Sequence, residues 1–320
     1  MSFFGRILAS VGIGSAKVDT VLETSSYAPG DEVRGVVRIE GGAVEQRIDG
    51  IVLTVMSQYV REVNDSKLHQ NAEIARIRVT EPFVLAPGSR EEVPFSFYLP
   101  RNTPLSIGRT PVWIKTNADI QSAVDPTDED RIHIMPSRDQ KVVLDAIDML
   151  GFRLKQTETV YAPRLGGSLP FVQEFEWIPG GGRYRGRLDE LELMFLGSRG
   201  DGLTLLLQID RKATSIFGLF AEAMDTDETF VRVELSGGDL GEGPRMLPAC
   251  WPTLSIDTAE AGTRARGSPR SASSPVALES IRIPIKGARD RGALFSASGS
   301  LSYSPYERVL GKIRGEGERG

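Results

Sequence analysis

Cysteine and histidine, on which many catalytic and metal sites depend, are almost missing from this chain of 320 residues. Cys250 is the single cysteine, so no internal disulfide can form, and this favours a reducing compartment. His69 and His133 are the two histidines, and neither has another cysteine or histidine close to it in the sequence. A zinc site needs about three or four such ligands or carboxylate substitutes. We therefore expect no metal and no cofactor.

Long apolar runs and catalytic sequence motifs are also missing. No run approaches the roughly 18 apolar residues that a transmembrane helix needs, and the apolar N-terminus lacks the basic region of a secretory signal. The chain has no G-x-S-x-G elbow, Walker A loop or G-x-G-x-x-G after a strand. A net charge of −5 gives no general reason to expect nucleic-acid binding. These absences favour a cytoplasmic protein that is not an enzyme and has no nucleic-acid partner.

Alternation of apolar and polar residues with a period of two is the dominant pattern that is present, and it is typical of β-strands. It recurs at 51–55, 75–79, 93–99, 191–195, 203–209 and 231–235. Turn signals such as Pro29-Gly30-Asp31 and Pro87-Gly88-Ser89 separate the runs. Because these strands do not alternate with helices, the pattern predicts an all-β fold of β-sandwiches rather than a parallel sheet.

Two stretches have helical periodicity, 3–11 and 142–150. Ser137 or Asp139 can cap the second helix, and Gly151 can end it. This helix interrupts the strand pattern and so indicates a domain junction. We predict an N-terminal sandwich, a hinge with a short helix, a C-terminal sandwich and a mostly disordered tail rich in Ala, Arg, Ser, Gly and Pro, at 1–136, 137–150, 151–252 and 253–320. Inside the tail, Ile281–Ile285 is a possible short strand.

Several segments resemble the bacterial sporulation-control protein family. The most specific is Thr110-Pro111-Val112-Trp113-Ile114-Lys115-Thr116, followed by Asp119-Ile120, Ala123, Asp125-Pro126, Asp128 and Asp130. Further segments of the same kind are Phe3-Phe4, Leu8 to Gly14, Ala16 to Thr20, Pro29-Gly30-Asp31, Gly35 to Gly42, Gln46-Arg47-Ile48, Phe175 to Pro179 and Leu188 to Glu192. The resemblance covers about residues 1–240.

This resemblance implies an arrestin-like architecture, in which a hinge joins two immunoglobulin-like β-sandwiches. It also implies a cytosolic, non-enzymatic regulatory role linked to sporulation and to envelope or stress responses. The family has no catalytic residues that could be transferred to this chain. The tail from residue 253 departs from the family pattern.

Aspartates are concentrated in the segment before the last strand of the predicted first domain. Three interpretations of Asp125, Asp128 and Asp130 remain open: a solvated loop, an inter-domain polar contact with a cation, and a Ca²⁺ site. The spacing lacks the EF-hand order, which argues against calcium. Arg109 is a nearby cation, so we name Arg109, Asp125, Asp128 and Asp130 as a candidate inter-domain polar contact.

The N-terminal helix carries Phe3, Phe4, Ile7 and Leu8 on one face, and we name it a candidate docking helix. A helix that lies in a membrane interface usually has several Lys and Arg residues on its polar face, and this one has only Arg6. Packing on the protein's own surface is therefore favoured over peripheral membrane contact.

Binding to other proteins through exposed sheet edges or sandwich faces is the function that these observations favour. The alternatives are a carbohydrate- or ligand-binding β-sandwich and an unrecognised enzyme. The scarcity of convergent His, Cys and paired acids argues against an enzyme. The sequence does not identify the partner protein or the oligomeric state.

Overall fold

The computed structural model describes residues 16–64, 66–121, 123–181, 184–186, 188–197, 202–210, 230–245 and 280–282. All of these residues belong to one compact unit, which ends at Arg282. The N-terminal docking helix predicted around Phe3, Phe4, Ile7 and Leu8 lies outside the described residues, and so does most of the tail after 253.

Strands dominate the described residues, as the alternating sequence pattern predicted. The strands are β1 (Lys17–Leu22), β2 (Ser26–Tyr27), β3 (Glu32–Glu40), β4 (Gln46–Val63), β5 (Ser66–Arg78), β6 (Phe83–Leu85), β7 (Arg90–Tyr98), β8 (Val112–Ile120), β9 (Thr127–Ile134), β10 (Phe152–Tyr161), β11 (Phe171–Pro179), β12 (Glu190–Leu196), β13 (Leu203–Asp210), β14 (Phe230–Leu235) and β15 (Ser280–Arg282). The helices are α1 (Arg138–Met149) and α2 (Gly237–Gly241). The prediction of an all-β chain is confirmed.

The strands form two sheets. The smaller has the order β1-β3-β7, and the larger has the order β15-β14-β13-β12-β11-β10-β4-β8-β9-β2, with β5 and β6 also paired to β4. Pairing is mainly antiparallel, and the parallel contacts are β2 with β9, β4 with β10 and β14 with β15. Chain segments before and after α1 therefore meet within one sheet, at β4 and β10.

β4 is the strand to which most of the larger sheet is attached. Along its 18 residues β4 pairs with β6 and β8 and then with β5 and β10, and β5 and β8 flank it together over residues 52–57. Ile51, Leu53 and Val55 are completely buried, which agrees with the alternation that predicted this strand. Against β8, β4 contains a bulge at Asp49, which lies unpaired between Ile48 and Gly50 and bends the strand locally.

The smaller sheet contacts the larger one through β1. Thr20 and Thr116 share a buried hydrogen bond of 2.6 Å between their hydroxyl oxygens, which joins β1 to β8. The backbone N–H of Thr20 donates to Asp128 Oδ2 over 2.7 Å, which joins β1 to β9. β1 therefore links both sheets in the first half of the chain.

Helix α1 contains the helical periodicity seen at 142–150 and begins at Arg138, directly after the predicted cap Ser137. Ser137 caps it through a capping box with Gln140, and Gly151, at φ +88°, follows the C-terminal cap. Val143, Leu144, Ala146 and Ile147 are its buried apolar residues. The predicted cap at Ser137 and the predicted end at Gly151 are both present.

Residues outside the alternating sequence runs also belong to strands. β5 begins at Ser66, so His69 is an exposed strand residue. Asp128 and Asp130 lie inside β9, at half-buried positions that alternate with the exposed residues Thr127, Glu129 and Arg131. In the predicted tail, Ser280–Arg282 forms β15 beside β14, close to the possible strand at Ile281–Ile285.

Candidate functional site

The four residues of the predicted polar contact occupy separate positions in the fold. Asp125 Oδ1 accepts the N–H of Ile120 over 2.9 Å and so closes the turn between β8 and β9. Asp128 accepts the N–H of Thr20, as described above. Arg109 is an exposed turn residue, and no ion pair of the described residues joins it to these aspartates. Asp125 and Asp128 thus bind backbone N–H groups of the predicted N-terminal domain, at Ile120 and Thr20.

Asp130 is the electrostatically unusual member of the group. Burial, then the charge of Asp128 and a hydrogen bond to it, and then the charge of Asp19 raise the pKa of Asp130 to about 6. One of its oxygens, Oδ2, is buried without a hydrogen-bond partner. A proton on Asp130 therefore lowers the cost of burying this carboxyl, and it also relieves repulsion by Asp128 of the same strand and by Asp19 of β1.

Gln173 makes a buried polar contact between the segments before and after α1. Its side-chain oxygen accepts the N–H of Leu105 over 2.6 Å, and its side-chain nitrogen donates to Leu105 O over 2.8 Å. The same nitrogen lies 3.3 Å from Thr110 Oγ1. Gln173 and Leu105 are both buried, so this amide replaces a strand partner for the backbone of Leu105.

Aromatic side chains pack where the β4–β5 hairpin meets β10 and β11. The Tyr59 ring stacks on Tyr161 and on Phe171, with centroid distances of 5.9 and 5.6 Å. The Arg61 guanidinium lies 4.6 Å from the centre of the Tyr161 ring. Lys67 of β5 pairs with Glu158 of β10 over 3.0 Å. The hairpin is thus held against the second half of the chain by both apolar and charged contacts.

One edge of the hairpin is open. β5 pairs with β4 over its length, and among the described residues it has no strand on its other side. Most of its 13 residues are exposed, including Leu68 at 45 %. Strand β7 is also an edge, but it is shorter, and Pro94 removes a backbone donor from it. β5 is therefore the better template for an additional strand.

A cavity of about 390 Å³ lies between the start of α1 and the strands β11 and β12. Phe171, Phe175 and Phe195 provide part of its apolar wall, and Arg101 and Asp139 are charged residues in its lining. The volume of this cavity lies in the range of small-ligand pockets, which is about 300–1,000 Å³.

Carboxylates are concentrated on the face of β11 and β12 that is opposite to Gln173. Because side chains alternate along a strand, Glu174 and Glu176 lie on the other face from Gln173, and the register places Glu192 directly beside Glu176. Ligand oxygens of Glu174, Glu176 and Glu192 lie within 4.8 Å of one another. All three residues are buried, so three carboxylates share a space largely removed from water.

Lys155 and Gln156 provide charged and hydrogen-bonding partners for Glu176 in this group. Lys155 Nζ lies 3.2 Å from Glu176 Oε2 and forms a second ion pair with Glu190. Gln156 donates from its side-chain nitrogen to Glu176 Oε1 over 2.5 Å. Glu174 Oε1 has no hydrogen-bond partner. Burial first, and then the charges of Glu176 and Glu158, raise the pKa of Glu174 to about 8.

Most of these features were missed by sequence reasoning. Glu174 and Glu176, like Glu190 and Glu192, alternate with large apolar residues in strand-like runs, and this was the available signal of carboxylates on a buried face. Gln173 gave no comparable signal, because its partner Leu105 is 68 residues away in the chain.

Comparisons with known proteins point to one family. Residues 4–213 match the family model described as SpoOM protein. The sporulation-control protein spo0M of Bacillus subtilis (strain 168) is 43 % identical over 240 residues, which are 75 % of this chain and 93 % of that protein. The crystal structure of Spo0M from Bacillus subtilis matches with a TM-score of 0.71 and 40 % identity, covering 77 % of this chain and 99 % of that chain.

The raised pKa of Asp130 predicts a pH-dependent stability. A folded-state pKa above the ordinary value of 3.8 gives stability that is complete below pH 3.8 and is lost as the pH rises through about 6. Asp130→Asn should remove this loss, so its urea midpoint should exceed that of the wild type at pH 7 and approach it at pH 4. Glu129→Gln, an exposed neighbour on the other side of β9, is the control and should follow the wild type. Parallel curves for wild type and Asp130→Asn would contradict the assignment.

Replacing Gln173 tests the contact between the two halves. Gln173→Leu introduces an apolar side chain of similar size but leaves the buried N–H and C=O of Leu105 without this partner. The free energy of unfolding in urea should therefore fall by about 2 kcal/mol or more. Gln121→Leu, at an exposed position, should change the free energy of unfolding by less than about 0.5 kcal/mol. Equal stability of the two variants would show that Gln173 is not a structural contact.

Proposed function

The chain belongs to the SpoOM protein family, and from this membership we propose that it is a non-enzymatic regulatory protein that acts by binding other proteins. The curated relative is named a sporulation-control protein, and we assign this chain to sporulation control or a related stress or envelope response in the cytoplasm. No helix among the described residues is long and apolar enough to cross a membrane.

Two arrestin-like sandwiches joined by a hinge at 137–150 are part of this proposal. The support is the strand pairing: the segments before and after α1 pair at a single register position, Val60 with Val160. Apart from that position, strands of 17–134 pair among themselves, and strands of 152–282 pair among themselves. Gln173 and the aromatic stack on Tyr59 then set the orientation of the two parts.

The open edge of β5 is the observation that carries the proposed function. A partner that supplies an extended segment can add a strand there through backbone hydrogen bonds, and the side chains of β5 can select its sequence. The charged residues of β5 include Lys67, Glu73, Arg76 and Arg78, which oppose uncontrolled pairing between copies. We therefore assign partner binding to β5 rather than to β7.

Proline substitution on β5 tests this assignment. In an antiparallel pair, neighbouring residues direct their N–H groups alternately toward the partner strand and away from it. Of Leu68→Pro and His69→Pro, one therefore removes a hydrogen bond to β4, and the other removes an outward N–H. The outward variant should keep its thermal midpoint but lose cross-linking to partner proteins from a photoreactive group at Asn71.

The matched control carries the photoreactive group at Glu91 of β7, which is exposed on the other edge strand. Cross-links of equal yield from Asn71 and Glu91, or cross-links from Asn71 that both proline variants retain, would contradict docking at β5.

Binding of a small ligand is the second candidate function, and the cavity beside α1 favours it. Its three phenylalanines can contact an apolar or sugar ring, and Arg101 and Asp139 can bind polar groups. A thermal-shift screen with mono- and disaccharides should then raise the unfolding temperature of the wild type but not of Phe195→Ala. No shift with any sugar would argue against carbohydrate binding at this cavity.

A further inference from the structure

We propose that Glu174, Glu176 and Glu192 bind a hard divalent cation, such as Ca²⁺, Mg²⁺ or Mn²⁺, on the face of β11 and β12 opposite to Gln173. Oxygen atoms of the three carboxylates lie within 4.8 Å of one another, a separation that one ion can bridge. Carboxylate oxygens are the ligands that these ions prefer. The proposal concerns a different surface from the β5 edge and does not rest on partner binding there.

The density of negative charge supports an additional cation. Glu174, Glu176, Glu190 and Glu192 are all buried on β11 and β12, and Lys155 forms ion pairs with two of them, Glu176 and Glu190. Buried carboxylates need a compensating charge or a proton, because removing them from water is costly. A divalent ion bound by Glu174, Glu176 and Glu192 would add positive charge to this group of buried carboxylates.

Gln208 is a second and independent indication of a ligand. It is 5 % exposed, and its side-chain oxygen has no hydrogen-bond partner. The register of β12 with β13 places it directly opposite Glu192, on the same face as the carboxylate group. Directly opposed residues have Cβ atoms about 5 Å apart, so the amide oxygen can reach an ion beside Glu192. An unpaired neutral oxygen is a natural fourth ligand for a hard cation.

Glu176 is already positioned to act as the central ligand. Gln156 and Lys155 bind its two oxygens and fix the orientation of its carboxylate. Outer contacts of this kind hold metal-binding side chains in place and tune their affinity. A carboxylate oxygen has more than one lone pair, so these contacts leave room for an ion.

Titration of the full-length chain with each ion separately tests the site. After removal of divalent ions with EDTA, Mn²⁺ binding is measured by electron paramagnetic resonance, and Ca²⁺ and Mg²⁺ by calorimetry. We expect one strong site per chain and a rise in thermal midpoint on saturation. Glu174→Gln and Glu192→Gln should each weaken the affinity at least about tenfold, because affinity depends on the number of charged ligands.

Gln208→Leu and Glu91→Gln complete the experiment. Gln208→Leu should weaken binding while leaving the carboxylates intact, and Glu91→Gln, at an exposed position on β7, should bind like the wild type. Circular dichroism without metal confirms that each variant is folded. The proposal is wrong if millimolar concentrations of all three ions leave the wild type unbound, or if folded Glu174→Gln and Glu192→Gln bind as tightly as the wild type.

Discussion

Pairing along β4 is the constraint on which the rest of the structure depends. Its first residues pair with β6 and β8, its middle residues lie between β8 and β5, and its last residues pair with β5 and meet β10. The backbone hydrogen bonds of one strand therefore fix the positions of elements from both sides of α1. A shift of one residue in its register would move Ile51, Leu53 and Val55 out of the core, so the buried face of β4 also fixes the pairing.

Polar groups, rather than apolar area alone, determine how the second half of the chain lies on the first. A hydrophobic contact such as Tyr59 on Phe171 tolerates small rotations, because dispersion and burial depend weakly on direction. The amide of Gln173 tolerates much less, since it must meet both the N–H and the C=O of Leu105. The aromatic stack stabilises the contact, and Gln173 gives it one orientation.

The sequence predicted the local features of this fold better than its long-range ones. Period-two alternation located the strands, and Ser137 with Gly151 delimited α1, because each signal lies within a few neighbouring residues. Asp128 is different. The concentration of aspartates around it was visible in the sequence, but its hydrogen-bond partner Thr20 is 108 residues away. The carboxylate group likewise depends on the register that puts Glu176 beside Glu192. The register between two strands follows from the packing of the whole sheet, and the sequence pattern of a single strand does not specify it.

Carboxylates that are wholly or partly buried occur in both halves of the chain, and their surroundings differ. Asp128 accepts a backbone N–H, whereas burial, and then the charges of Asp128 and Asp19, raise the pKa of Asp130. Glu176 is satisfied by Lys155 and Gln156, whereas Glu174 beside it carries the raised pKa. In each pair, one acid is fixed by the fold and its neighbour can exchange its proton. These neighbours lie on β9 and β11, on either side of α1, so changes in charge can act on each half separately.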